Sequence, residues 1–133
     1  MKVFFLGFPK EGYPTYFKDS LPENLDVETM AYDGWPPFNP TSRYLLREFD
    51  PDLIILKSNL GTGLPASIEA LKAIKSDSFL AVVSVVMIGF DDLSERRRFR
   101  KPLNEEVLQL GAAAVLALAP APETSSVLGY TRV

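Results

Sequence analysis

The stretch PDLIILKSNLGTG (residues 51–63) holds the strongest indication of the fold. Its apolar run, residues 52–56, has no polar alternation, which is typical of a strand covered on both faces in a parallel sheet. Lys57 ends the run, and polar and glycine-rich residues follow, as at a strand-to-helix turn. Pro65 suits the first turn of the next helix. That helix carries an apolar stripe: Leu64, Ile68, Leu71 and Ile74.

The rest of the chain continues this alternation of strand and helix. Strands are predicted at residues 2–6, 25–31, 52–56, 79–89 and 112–119. Helices are predicted at 14–21, at 40–49 with Asn39 as N-cap, around 64–75, and from Asn104 to Gly111. The polar alternation within 25–31 suits an edge strand.

This order of elements predicts an α/β fold in one domain over residues 1–133. We expect a five-stranded parallel sheet in the flavodoxin-like order 2-1-3-4-5, with helices on both faces. About ten residues at the end are expected to form a helical turn or a frayed tail. A crevice opens in this order where strands one and three end. Its expected lining follows those strands: Phe8, Pro9, Lys57, Ser58 and Asn59.

The composition argues against several chemistries. The chain contains no cysteine and no histidine, so it lacks thiolates, the usual general base and the commonest metal ligand. Its net charge of −3 gives no case for nucleic-acid binding. The N-terminal apolar run is too short for a signal peptide or a membrane span, so a cytoplasmic location is expected. The 11 prolines and the single glutamine are typical of a thermophilic source.

Two stretches resemble the receiver domain of response regulators. They are PDLIILKSNLGTGLPASIEALKAIK (51–75) and LQLGAAAVLALAP (108–120). The first resembles the Pro-Asp pair, strand, loop and amphipathic helix around a receiver's phosphoacceptor. The second resembles the Gly-Ala pair before the fifth strand and the proline after it. The order of elements agrees over residues 1–122, and the resemblance implies a receiver fold in two-component signalling.

The positions that carry receiver chemistry differ in this chain. The resemblance aligns the phosphoacceptor aspartate with Lys57, the two acids after strand one with residues 7–9, and the late lysine with Ala119. The Ser or Thr that ends strand four aligns with Ser84 or with a residue nearer Gly89, so Ser84 is a further crevice candidate. Aspartyl phosphorylation needs a carboxylate and a divalent cation. We therefore expect a pseudo-receiver with no catalytic residue, metal or cofactor.

Several interpretations stay open beside a signalling or protein-interaction module. Lys57 could bind a small anionic ligand in the crevice, or could be a strand-end lysine whose ammonium lies in water. The combination MKVFFLG…PDLIIL also resembles the N-terminal half of glycosyltransferases. That reading would make the chain a remnant, because such enzymes need a second, nucleotide-binding domain and this chain has no catalytic constellation.

Two surfaces are candidates for a protein partner. One is the basic run ERRRFRK (95–101), which either binds an acidic partner or stays solvated beside neighbouring acids. Its cations are Arg96, Arg97, Arg98, Arg100 and Lys101. The other is the face of the fourth helix and fifth strand, where receivers commonly dimerise. The apolar residues 112–122 there favour self-association into a homodimer. We expect neither a membrane nor a nucleic acid as partner.

Overall fold

A computed structural model describes residues 1–58, 64–90 and 108–118. The strands are β1 (Lys2–Leu6), β2 (Glu28–Tyr32), β3 (Leu53–Ser58), β4 (Ser84–Phe90) and β5 (Ala114–Leu118). The helices are α1 (Tyr13–Asp19), α2 (Pro40–Phe49) and α3 (Leu64–Ser76). The five strands form one sheet in the order β2-β1-β3-β4-β5, and all neighbours are parallel. The predicted fold class, the strand order and the edge position of the second strand are confirmed.

Apolar layers cover both faces of the sheet because successive strand residues point to opposite sides. In β1, Phe4 and Leu6 face the layer under α2 and α3, whereas Val3 and Phe5 face the layer under α1. Each of these four side chains is fully buried. This two-sided burial explains why β1 is apolar without alternation.

The predicted limits of α2 are confirmed at both ends. The Asn39 side chain accepts a hydrogen bond from Ser42 N at 3.0 Å, and Ser42 Oγ accepts one from Asn39 N at 2.9 Å. This reciprocal capping box satisfies N–H groups that the first helical turn leaves unpaired. At the other end Asp50 adopts a left-handed conformation, with φ 52°, and Pro51 follows.

The prediction that the fourth strand starts at residue 79 is wrong, because β4 starts at Ser84. The Asp77 carboxylate accepts hydrogen bonds from the N–H groups of Phe79 at 2.9 Å and Leu80 at 3.1 Å. The Lys75 ammonium donates to the carbonyl of Val83 at 2.7 Å. Since these bonds fold residues 77–83 into a turn, Leu80 and Val83 are buried without joining the sheet, whereas Phe79 and Val82 remain exposed.

The remaining limits differ by a few residues. Helix α1 ends at Asp19 rather than 21, β2 begins at 28 rather than 25, and β3 continues to Ser58. Gly111, the predicted end of the fourth helix, has φ 109°, as a helix-ending glycine often does. The first half of that helix, from 104 to 107, and the predicted tail lie outside the described residues.

Candidate functional site

The carboxyl ends of β1 and β3 lie side by side and place Gly7 against Lys57. The parallel register sets Leu6 opposite Leu56, so the next residue of each strand comes to the same edge. A Cβ added to Gly7 would lie 3.2 Å from the Cβ of Lys57, closer than side chains ordinarily approach. Gly7 also has φ 90°, which disfavours a side chain. Glycine therefore permits both the turn after β1 and the close approach of the lysine.

Lys57 is half-buried, with its ammonium above an aromatic ring. Its Nζ lies 5.9 Å from the centroid of the Phe8 ring, within the range of a cation–π interaction. Its carbonyl oxygen accepts a hydrogen bond from Ser67 Oγ at 2.9 Å, which ties the end of β3 to α3. Among the described residues, Lys57 forms no ion pair with a carboxylate.

Phe8 belongs to an aromatic cluster between the sheet and α1. The ring is 2% exposed, meets Phe5 edge-on at 5.8 Å between centroids, and stacks on Tyr13 at 5.5 Å. Burial, followed by the neighbouring Tyr16, raises the pKa of Tyr13 above its usual value. Phe8 is therefore part of the core packing between the sheet and α1.

The segment between β2 and α2 packs against the turn that follows β1. The carbonyl of Tyr32 accepts hydrogen bonds from the N–H of Gly7 at 2.7 Å and of Phe8 at 3.1 Å. Asn39 Nδ2 donates to Tyr32 Oη at 2.9 Å, so the segment is fixed at both ends. Pro37 Cβ comes within 3.9 Å of the position that a Gly7 Cβ would take.

The structure brings some predicted crevice residues together and separates others. Phe8 and Lys57 meet at the carboxyl edge; Pro9 follows Phe8 and is exposed, and Ser58 is the last residue of β3. The prediction that Ser84 lines the crevice is wrong. Ser84 is the first residue of β4 and pairs with Leu53, at the opposite, amino edge of the sheet.

The position next to the crevice in β4 is Gly89, which pairs with Ser58. Asn59 and the predicted basic run, Arg96, Arg97, Arg98, Arg100 and Lys101, lie outside the described residues. Sequence reasoning missed the contact role of Gly7, although a glycine directly after a strand is a signal for positive φ. It also missed Ser67, for which the helical pattern gives no signal.

The described ranges contain no group of three or more Asp or Glu side chains arranged to hold a metal ion. Mg²⁺ and similar hard cations take oxygen ligands, usually including carboxylates. The crevice edge formed by Gly7, Phe8 and Lys57 supplies none. Within these ranges no helix has the length and apolar character needed to cross a bilayer.

Solved receiver structures share this fold. The Mn²⁺-bound form of response regulator Rcp1 superposes with a TM-score of 0.63 at 14% identity, covering 98% of this chain and 89% of that chain. The phosphorylated cyanobacterial phytochrome response regulator RcpA gives 0.59 at 19% identity, covering 95% and 84%. A receiver domain of a DNA-binding response regulator (merR) from Colwellia psychrerythraea 34H gives 0.62 at 18%, covering 98% and 94%.

No protein-family model matches the sequence, and no curated protein does. The three structures each align over most of their own length. The chain therefore has the fold of response-regulator receiver domains.

Proposed function

We propose that this protein is a pseudo-receiver, a receiver scaffold that acts in signalling as a protein-interaction module without aspartyl phosphorylation or catalysis. The observation that carries the proposal is the position of Lys57. It stands at the carboxyl end of β3, against Gly7 and with its ammonium over the Phe8 ring. The resemblance puts the phosphoacceptor at this position in ordinary receivers.

The chemistry of phosphoryl transfer opposes this arrangement. An aspartyl phosphate needs a carboxylate nucleophile, and the transfer needs a divalent cation to neutralise the phosphoryl oxygens. An ammonium repels such a cation with an energy on the order of 4 kcal/mol per unit charge at ~4 Å and an effective dielectric near 20. Rcp1 holds Mn²⁺ and RcpA is phosphorylated in the structures compared above. Lys57 supplies neither the nucleophile nor a cation ligand.

The lack of acidic residues at this edge involves the packing of Gly7 and Phe8 as well as the identity of residue 57. An acid in place of Phe8 would put a carboxylate inside the aromatic cluster, where a buried, unpaired charge is strongly unfavourable. An acid at Gly7 would require a side chain at φ 90° and 3.2 Å from Lys57 Cβ. We infer that the protein functions through its outer surfaces, which bind a protein partner.

The proposal predicts weak divalent-cation binding that changes in a fixed order with the residue at 57. We expect no saturable Mn²⁺ binding by the wild type below about 10 mM, well weaker than the ~1 mM that corresponds to about 4.1 kcal/mol. Lys57→Met removes the ammonium at similar length, and Lys57→Asp adds a carboxylate, so affinity should rise from wild type to Met to Asp. Isothermal titration calorimetry measures it. The electrostatic argument would be contradicted if the wild type bound Mn²⁺ with millimolar or tighter affinity and neither substitution of Lys57 changed that affinity.

The Lys57 ammonium, which forms no ion pair with a carboxylate among the described residues, favours a second candidate, the binding of a small anion in the crevice. Melting curves of the same wild-type and Lys57→Met proteins with sodium phosphate distinguish the two. If the crevice is a site, phosphate should raise the melting temperature of the wild type but not that of Lys57→Met, because a ligand stabilises the state that it binds. An equal phosphate-induced shift in both proteins would leave the interaction module as the function.

A further inference from the structure

The outer side of α2 carries a groove that the receiver resemblance does not explain. The groove has a volume of about 690 Å³. Its main lining side chains are Phe38, Arg43, Tyr44, Arg47, Glu48 and Phe79. We call this surface the α2 groove. It combines aromatic rings with arginines, the residue types that contribute most to binding energy at protein interfaces.

The walls of the α2 groove are held in place before any partner arrives. Arg43 Nε donates to Asp77 Oδ2 at 2.6 Å, and the Asp77 side chain is only 5% exposed. The Arg47 guanidinium lies 5.4 Å from the centroid of the Phe79 ring. Since side chains fixed in advance lose less conformational entropy on binding, this surface is suited to docking.

The α2 groove contains both a cavity and a projecting ring. Tyr44 lines the groove and is 63% exposed, more than any other aromatic side chain among the described residues. A two-fold axis makes each copy present the same patch to the other, so an isologous interface must complement itself. A patch with a ring beside a cavity meets this condition when each Tyr44 enters the opposite groove.

The charges of the α2 groove are also self-complementary. Arg47 and Glu48 are adjacent and exposed, and neither forms an ion pair within the described ranges. Arg43 is already neutralised by Asp77, so the groove has no strong net charge that would favour an acidic or a basic partner. A second copy related by a two-fold axis can set Arg47 against Glu48 in both directions.

We propose that the α2 groove is a homodimer interface, in which a second copy of this chain is the occupant. The inference deepens the proposed interaction module by naming its partner. It differs from the dimer face of the fourth helix and fifth strand, residues 104–122, that the sequence suggested. Its failure would leave the absence of phosphorylation untouched, because phosphorylation concerns Lys57 and is measured separately.

The mass in solution tests the interface. Size-exclusion chromatography with light scattering should give twice the 14.8 kDa chain mass at high concentration. Tyr44→Ala should raise the dimer dissociation constant at least ~10-fold, as expected for a buried aromatic at an interface. Leu25→Ala is the matched control, because Leu25 is also an exposed apolar residue, at 48%, but does not line the groove. It should leave the dimer unchanged.

A charge exchange gives a test that does not depend on loss of packing. Arg47→Glu alone and Glu48→Arg alone each place like charges across the axis and should be monomeric. An equal mixture of the two variants restores both opposite-charge pairs and should form a heterodimer in native mass spectrometry. A wild type that stays monomeric up to ~1 mM would overturn the proposal. So would a dimer that Tyr44→Ala and the charge reversals do not weaken, which would place association on another face.

Discussion

Phe5→Ala is expected to lower the free energy of unfolding by about 3–5 kcal/mol. Phe5 is fully buried, and its ring meets Phe8, Tyr13 and Phe17 edge-on or nearly so at 5.8, 5.9 and 5.2 Å between centroids. Truncation removes apolar burial and leaves a cavity that neighbours on a rigid sheet fill only in part. Since small domains are stable by ~5–15 kcal/mol, this change removes a large part of the total.

Urea unfolding followed by circular dichroism measures the Phe5 effect. Phe79→Ala is the matched control, because that phenylalanine is 41% exposed and its loss should lower the free energy of unfolding by much less than about 3 kcal/mol. Both variants are measured at low micromolar protein so that the proposed dimer does not contribute. If Phe5→Ala does not fold, Phe5→Leu should show a smaller loss in the same direction. A loss for Phe5→Ala no greater than for Phe79→Ala would mean that the cluster supporting Phe8 is not packed as described.

Asp77→Ala is expected to cost about 2–4 kcal/mol, because it removes a buried carboxylate that several groups share. The loss leaves the N–H groups of Phe79 and Leu80 without their acceptor and Arg43 without its partner. Asp77→Asn keeps an acceptor oxygen without the charge, so its cost should be smaller. Urea unfolding at pH 7 measures both, and an Asp77→Ala value near zero would contradict the described turn.

The same carboxylate predicts a dependence of stability on pH. The hydrogen bond from Arg43 lowers the pKa of Asp77; desolvation opposes this, and the N–H groups of Phe79 and Leu80 add to the lowering. A folded pKa below the unfolded value of about 3.9 means that the stabilisation is present above that pH. It is lost as the pH falls through the folded pKa. The stability difference between wild type and Asp77→Asn should therefore be largest near neutral pH and should shrink in strong acid.

Much of the fold could be predicted from the sequence because burial on both faces leaves a plain pattern. The limits of β1 and α2 followed from the uninterrupted run 2–6 and from the Asn39-Pro40 start. The start of β4 could not be found, because residues 79–83 are as apolar as a strand. The hydrogen bonds of Asp77 and Lys75 fold these residues into a turn, and the hydrophobic pattern of the sequence does not show these bonds.

The candidate site was predicted in part. Parallel strands bring their carboxyl ends to one edge, so placing Phe8 beside Lys57 needed only the strand order. The wrong position of Ser84 followed from aligning it with the Ser or Thr that ends strand four of receivers, whereas Ser84 begins β4. The contact between Gly7 and Lys57 and the α2 groove depend on register and on side chains far apart in sequence. Neither leaves a periodic signal.

The most direct test of the pseudo-receiver proposal is the intact mass of the protein after incubation with a small phosphodonor and Mg²⁺. A receiver that retains its acidic residues serves as the positive control in the same reaction. The proposal predicts that the control gains one phosphoryl group while this chain keeps its original mass. A stable gain of one phosphoryl group by the wild-type chain would contradict it.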